Sequence, residues 1–370
     1  MSRSYNVVDA DGHILEPGDL WVRDIDAKFR DDAPVVIVDT DGRHRVRLAG
    51  TVHGAPLGLA MSGSVGKTVD EIPKMNYLDG RRGGFDPHAR IKDMDLDGID
   101  AAVLYPTLGL FSGAIVDPDL AAAVCRVYNR WIVEYCSPYP DRLFGVAMLP
   151  MQSVERTVEE MRYARKTLGL RCGFVRPNPY FERRLNDPVY DPIWAEAQEL
   201  DFAIAFHEAS SSGVAVVGVN RIQGFGAKHL VSHTMEMMIA AVNLIWGGVC
   251  ERFPKARFGF MESSGGWMAP WLDRMDHHFE RKGVYDDAVI LRMPPSEYFR
   301  RQCWISFEPS EMTIRHGAEL LGPEKILWAT DYPHFDGFFP GAPKQVADKL
   351  PPEIRQKVMA QGAIDFYKLN

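Results

Sequence analysis

The chain repeats one pattern eight times: a short run that is apolar at nearly every position, then an amphipathic stretch. The runs are YNVVDADGH, GIDAAVLYPT, RLFGVAMLP, LRCGFVRP, FAIAFHE, ARFGFMES, QCWISFEP and KILWATDYPH. Runs of this kind suit strands buried on both faces, as in parallel sheets. The stretches between them suit covering helices. Asp86–Pro87 and Asp117–Pro118 each read as an N-cap followed by a first-turn proline. After the second pair, Leu120, Val124, Val127, Trp131 and Tyr135 recur at helical spacings. Further helices are predicted over 153–168, 192–200, 235–246, 266–278, 311–321 and 352–367. Eight strand–helix alternations predict an α/β chain folded as a (β/α)8 TIM barrel. The rival, a doubly wound open sheet, would want a glycine-rich phosphate turn, which the first run lacks. The expectation is a single domain over residues 1–370. It carries an insertion at about 18–85 after strand one and a long loop at about 208–234. Both leave from strand C-terminal ends, the face where a barrel builds its site.

Composition narrows the partners. The chain has 370 residues, 46% of them hydrophobic, which is ample for a large core. Its net charge of −8 argues against nucleic acid and against an anionic membrane surface. No apolar run reaches the roughly 18–20 residues of a membrane span. The opening MSRSYNVVDADGH has too short an apolar stretch for a signal peptide. Cys125, Cys136, Cys172, Cys250 and Cys303 are scattered in apolar contexts with no CxxC pair, which suggests reduced thiols and a cytoplasmic protein.

The polar residues at the strand ends carry the chemistry. Asp11 and His13 are two apart in a strand, so both can face the same way. His207 ends run five and Asp331 ends run eight. Two imidazoles and two carboxylates converging from three strands suit Zn²⁺, Mn²⁺ or Fe²⁺. Run four ends in Phe174-Val175-Arg176-Pro177, and Arg176 offers either a carboxylate clamp or an ion pair on the rim. His229 and His233 are four apart, a spacing that can place a metal pair on a helix. With four ligand candidates already elsewhere, His233 reads as a support or a capping residue. GSVGKT, residues 63–68, fails as a phosphate loop, because the required first glycine is Met61. No G-x-S-x-G elbow occurs, which argues against a serine hydrolase.

VVDADGHILEP, DMDLDGIDAAVLYPT, LIWGGVCERFPKARFGFMESSGGW and ILWATDYPH together resemble the amidohydrolase superfamily. They are most similar to the amidohydrolase-2 branch that contains 2-amino-3-carboxymuconate-6-semialdehyde decarboxylase, γ-resorcylate decarboxylase and 5-carboxyvanillate decarboxylase. The resemblance implies one divalent metal ion, Zn or Mn, held by Asp11, His13, His207 and Asp331. It departs at strand six, where the branch's decarboxylases carry a histidine and this chain has Glu262. Catalytic work is therefore expected of Glu262, Asp331 and His207, with Glu262 transferring a proton after burial raises its pKa, or else ligating the metal or orienting a neighbour. Substrate contacts are expected from Arg176, His334 and Trp267. Met61, Met75, Phe335, Phe338 and Phe339 supply apolar cover. The expected substrate is a small apolar aromatic or alicyclic acid, and the expected reaction a metal-dependent, non-oxidative decarboxylation of an aromatic or enolic acid. The alternative is hydrolysis of a C–N, ester or C–C bond by metal-bound water. Members of the branch are often dimeric, so a homodimer is also expected.

Overall fold

The computed structural model describes residues 4–53, 57, 67, 68, 70–209, 214–281, 284 and 291–369. Twelve strands occur among them. β1 is Val8–His13; β2, β3 and β4 are Val35–Val38, His44–Leu48 and Thr51–His53. β5 is Ala101–Tyr105, β6 Leu143–Gly145, β7 Ala147–Met148, β8 Cys172–Val175 and β9 Ala203–Phe206. β10 is Phe258–Phe260, β11 Cys303–Phe307 and β12 Ile326–Trp328. Each of the eight apolar runs of the sequence therefore forms strand.

The strands pair in parallel as β1-β5-β6 and as β12-β11-β10-β9-β8-β7. β6 and β7 are halves of one predicted strand. Val146 between them donates to Leu104 O, and the ladder partner changes from β5 to β8 there. At the other end, β1 and β12 are linked beyond the end of β12. Asp331 N donates to Asp11 O (3.1 Å) and His13 N to Tyr332 O (2.7 Å). Most side chains of these strands are buried, as expected where helices cover a sheet.

The helices follow from the caps seen in the sequence. Asp86 and Asp117 accept the N–H groups of His88 and Asp119, opening Pro87–Asp97 and Pro118–Cys136. Ser153 caps Val154–Lys166 in the same way. One boundary differs widely. The helix expected from 235 begins at Phe225, so the stretch expected as loop to 234 ends in more than two helical turns. Gly224, at φ 87°, opens it in place of a polar cap, which is why its start was hidden. A helix at Pro295–Gln302, with no counterpart in the sequence reading, precedes β11.

The insertion after β1 holds the antiparallel sheet β2-β3-β4. Met61, most of GSVGKT and residues 210–213 lie outside the described residues. Among the described residues no helix is long and apolar enough to cross a membrane.

Candidate active site

Four groups meet where the strands end. β1 delivers Asp11 and His13, but not by plain alternation. Its register slips between Asp9 and Gly12, a bulge that re-aims the tip. Gly12 is required there, because a Cβ would collide with Arg90 Nη2 and press on Asp9. Arg90 runs beneath the tip, donates to His13 O (2.7 Å) and lies over the Tyr332 ring. His207 follows β9 directly, held by its own N–H on Val175 O. Asp331 follows β12 at φ 51°.

The side chains form a cluster rich in acceptors. His13 Nδ1–H donates to Pro106 O (2.8 Å), and His207 Nδ1–H to Glu208 O (2.7 Å). Each neutral ring therefore presents its Nε2 lone pair, and the two Nε2 atoms are 3.1 Å apart. Asp11 Oδ1 lies 3.6 Å from one and Oδ2 3.6 Å from the other. Both Asp11 oxygens are buried with no hydrogen-bond donor. Asp331 Oδ1 lies 3.3 Å from His13 Nε2. Burial, with His334 and His207 adding to it, holds the His13 imidazolium pKa far below its usual range. Burial lifts Asp11 well above the carboxylate range against the pull of His207, and lifts Asp331 to about 8. Lone pairs facing one another in a dry pocket are a poor arrangement for protein alone. They fit a divalent cation, whose charge reverses this electrostatic logic and whose N/O preference matches the donors. Asp11, His13 and His207 have ligand atoms within 4.8 Å of one another, as do His13, Asp331 and His334.

Glu262 reaches the cluster from beyond β10. It sits at φ 42°, with its N–H on Ser306 Oγ (3.2 Å). Glu262 Oε2 is 3.0 Å from His207 Nε2, and Oε1 is 3.5 Å from His233 Nε2. Burial raises its carboxyl well above the ordinary range, reinforced by Asp331, Asp336 and Glu308. Glutamate at positive φ is uncommon, and such backbone positions concentrate at functional sites.

Each of the three residues expected to meet substrate has protein partners of its own. Arg176 is fully buried. Its Nη2 donates to Glu208 Oε1 (2.8 Å) and to Ala209 O, and its Nη1 to Leu110 O. A resident carboxylate thus occupies the fork expected for a substrate, and the ion pair is internal rather than on the rim. His334 is 4% exposed. It stacks on His13 (centroids 3.9 Å apart), bonds Thr107 Oγ1 through Nε2 (2.9 Å) and places Nδ1 3.0 Å from Asp331 Oδ1. It braces the cluster and also lines a small pocket with Glu262, His229, His233, Phe335 and Asp336. Trp267 donates to Ser263 O and packs edge-on to Phe260.

A pocket opens beside the cluster. Asp11, Glu262, Glu308, Asp331 and Asp336 line it, with His229, His233, Ser306 and Phe338. Glu308, Asp336 and Ser306 were not singled out in the sequence. Only their places just beyond run seven and run eight could have pointed to them. No Lys or Arg lines this pocket among the described residues.

Residues 8–369 match the family model described as Amidohydrolase. The chain belongs to the amidohydrolase family. It is 27% identical over 288 residues to 2-amino-3-carboxymuconate-6-semialdehyde decarboxylase of Dictyostelium discoideum, covering 77% of each chain. In structure it resembles an amidohydrolase from Mycobacterium avium subsp. paratuberculosis, with a TM-score of 0.82, 22% identity and full coverage of both chains. It also resembles a dihydroxybenzoic acid decarboxylase from Polaromonas, solved with manganese and the inhibitor 2-nitroresorcinol. There the TM-score is 0.68 and the identity 20%, over 85% of this chain and 94% of that one.

Proposed function

We propose that this chain is a metal-dependent, non-oxidative carboxy-lyase acting on a small hydroxylated aromatic or enolic acid. The observation that carries the reading is the dry cluster of unpartnered acceptors at the strand tips. Its support is family membership, with decarboxylases among the relatives and manganese in one of similar fold. On this reading Asp11, His13, His207 and Asp331 hold one Zn²⁺ or Mn²⁺. That ion supplies Lewis acidity, fixing substrate oxygens and lowering the pKa of water toward ~7.

The chain's own groups do the rest. Burial among Asp331, Asp336 and Glu308 raises the Glu262 carboxyl well above its ordinary range and so favours its protonated form. Glu262 gives that proton to the substrate carbon bearing the carboxylate. The bond from that carbon to the carboxylate then breaks, its electron pair restores the ring or enol, and CO₂ leaves. Solvent reprotonates Glu262. His334 holds the orientation of His13 and Asp331, and Phe338 walls the pocket. Arg176 is bound to Glu208, and no Lys or Arg lines the pocket among the described residues.

The same fact favours a second reading, hydrolysis of a neutral substrate at a C–N, ester or C–C bond. Metal analysis of chelator-free protein, paired with CO₂ release from a panel of hydroxybenzoic and enolic acids, separates the two. Bound metal with CO₂ release is the expected result. Bound metal without CO₂ from any acid would transfer the case to hydrolysis, and no metal would overturn both.

The architecture proposed with this is one closed (β/α)8 barrel over residues 1–370, with the insertion at about 18–85 as part of the same domain. Its support is the pair of backbone bonds joining the ends of β1 and β12 and the continuity of β6 with β7. A cytoplasmic location fits the five free, buried cysteines. A homodimer remains part of the proposal, to be tested by light scattering.

A further inference from the structure

The helical histidine pair is not used by the reaction above. His229 and His233 lie one turn apart on Phe225–Ala241, their rings stacked with centroids 4.1 Å apart. His233 Nδ1 is 3.2 Å from His229 O and 3.1 Å from Ser232 Oγ. The carbonyl can only accept, so Nδ1 carries the proton and Nε2 keeps its lone pair. This is the arrangement of His13 and His207, whose Nδ1–H groups also rest on backbone carbonyls. Backbone anchoring of that kind commonly orients metal-binding histidines. His233 Nε2 faces Glu262 Oε1 at 3.5 Å, and His229 Nε2 faces Asp336 Oδ2 at 3.5 Å. Ligands of a tetrahedral Zn²⁺ stand about 3.4 Å apart, given Zn–N and Zn–O near 2.0–2.2 Å. Ligand atoms of His229, His233 and Glu262 all lie within 4.8 Å of one another. All three residues line the pocket, with Asp336 beside them and no Lys or Arg among its described lining residues to repel a cation.

We propose that His229, His233 and Glu262 form a second divalent-cation site, with Asp336 as its fourth donor. Glu262 then stands between two centres, Oε2 toward His207 and Oε1 toward His233. The assignment concerns cation binding and holds whichever reaction the chain catalyses. One consequence rests on the reading of Glu262 given above: an ion on Oε1 occupies the proton donor, so excess zinc suppresses turnover.

The test is a Zn²⁺ titration of chelator-stripped full-length protein by calorimetry, with bound metal counted after desalting. The wild type takes two equivalents. His229→Ala and the His229→Ala/His233→Ala double variant take one. The Asp11→Asn/His13→Ala variant also takes one, retained at the helical pair. His229 is partly exposed, so its single variant reports on binding without emptying a buried position. Saturation of the wild type at one equivalent that survives loss of both helical histidines overturns the proposal, as does a double variant that still takes two. One equivalent that disappears with the helical histidines but survives Asp11→Asn/His13→Ala would sink the first site and keep this one.

Discussion

Asp331 and Glu262 each combine a carboxyl lifted by burial with a backbone at positive φ, so neither position is explained by packing alone. Asp331→Asn keeps the size and the backbone preference of aspartate. It is expected to leave the circular dichroism spectrum unchanged and to lower turnover by ~10² or more, as loss of a metal or proton group does. Near-wild-type CO₂ release from that variant would remove Asp331 from the site. Glu262→Gln keeps the shape and loses the transferable proton. Turnover should fall by roughly 10²–10⁴ while metal on the first centre persists. Loss of that metal instead would make Glu262 an obligatory ligand of it. At this scale the sequence was legible where residue type and strand phase agree, as for Asp11, His13, His207, Glu262 and Asp331. The protein partners of Arg176, His334 and Trp267 were not legible. The directions of these three side chains depend on Glu208, Thr107 and Ser263, which approach from other segments, and no periodicity encodes such meetings.

Among the elements, the turn after β5 shows how one buried carboxylate organises a wall of the site. Glu16 accepts the N–H groups of Thr107 (3.1 Å), Leu108 (2.8 Å) and Gly109 (3.0 Å). Thr107 in turn holds His334. Burial raises the Glu16 carboxyl from 4.5 to about 7 against these bonds. The folded chain therefore binds this proton more tightly than the unfolded chain does. The stability that follows is fully present below about 4.5 and is lost as the pH rises through about 7, on the order of 3 kcal/mol in all. Urea midpoints of the wild type and Glu16→Gln, compared from pH 5 to 8, should diverge across that window, the wild type losing stability relative to the variant. Parallel pH profiles would show that Glu16 titrates as it does in the unfolded chain. The caps at Asp86, Asp117 and Ser153 were readable because Ser or Asp ahead of a helical stripe is a local signal. The start at Phe225 was not, because a glycine takes the place of the cap.

For the whole molecule, eight apolar runs were enough to give the order of the parallel strands, since burial on both faces leaves a pattern in composition alone. The split at Val146 was not foreseen, because hydrogen-bond partners leave no trace in hydropathy. A cation bound only by the folded chain adds about 2.7 kcal/mol at a hundredfold excess over its Kd. Stripping metal with chelator should therefore lower the thermal midpoint by a few degrees, reversibly on adding Zn²⁺ or Mn²⁺, and an unchanged midpoint would argue that the strand-tip cluster holds no ion. The seam between β1 and β12 carries a further consequence. Asp331 N on Asp11 O and His13 N on Tyr332 O stitch together segments about 320 positions apart, and the same residues form the cluster. A ribosome adding roughly 5–20 residues per second exposes Asp11 and His13 tens of seconds before Asp331 exists. On the proposed ligand set, the nascent chain carries two of its four donors through nearly the whole of synthesis without a centre to put them in, and metal acquisition would be the closing event of biogenesis rather than a nucleus for it.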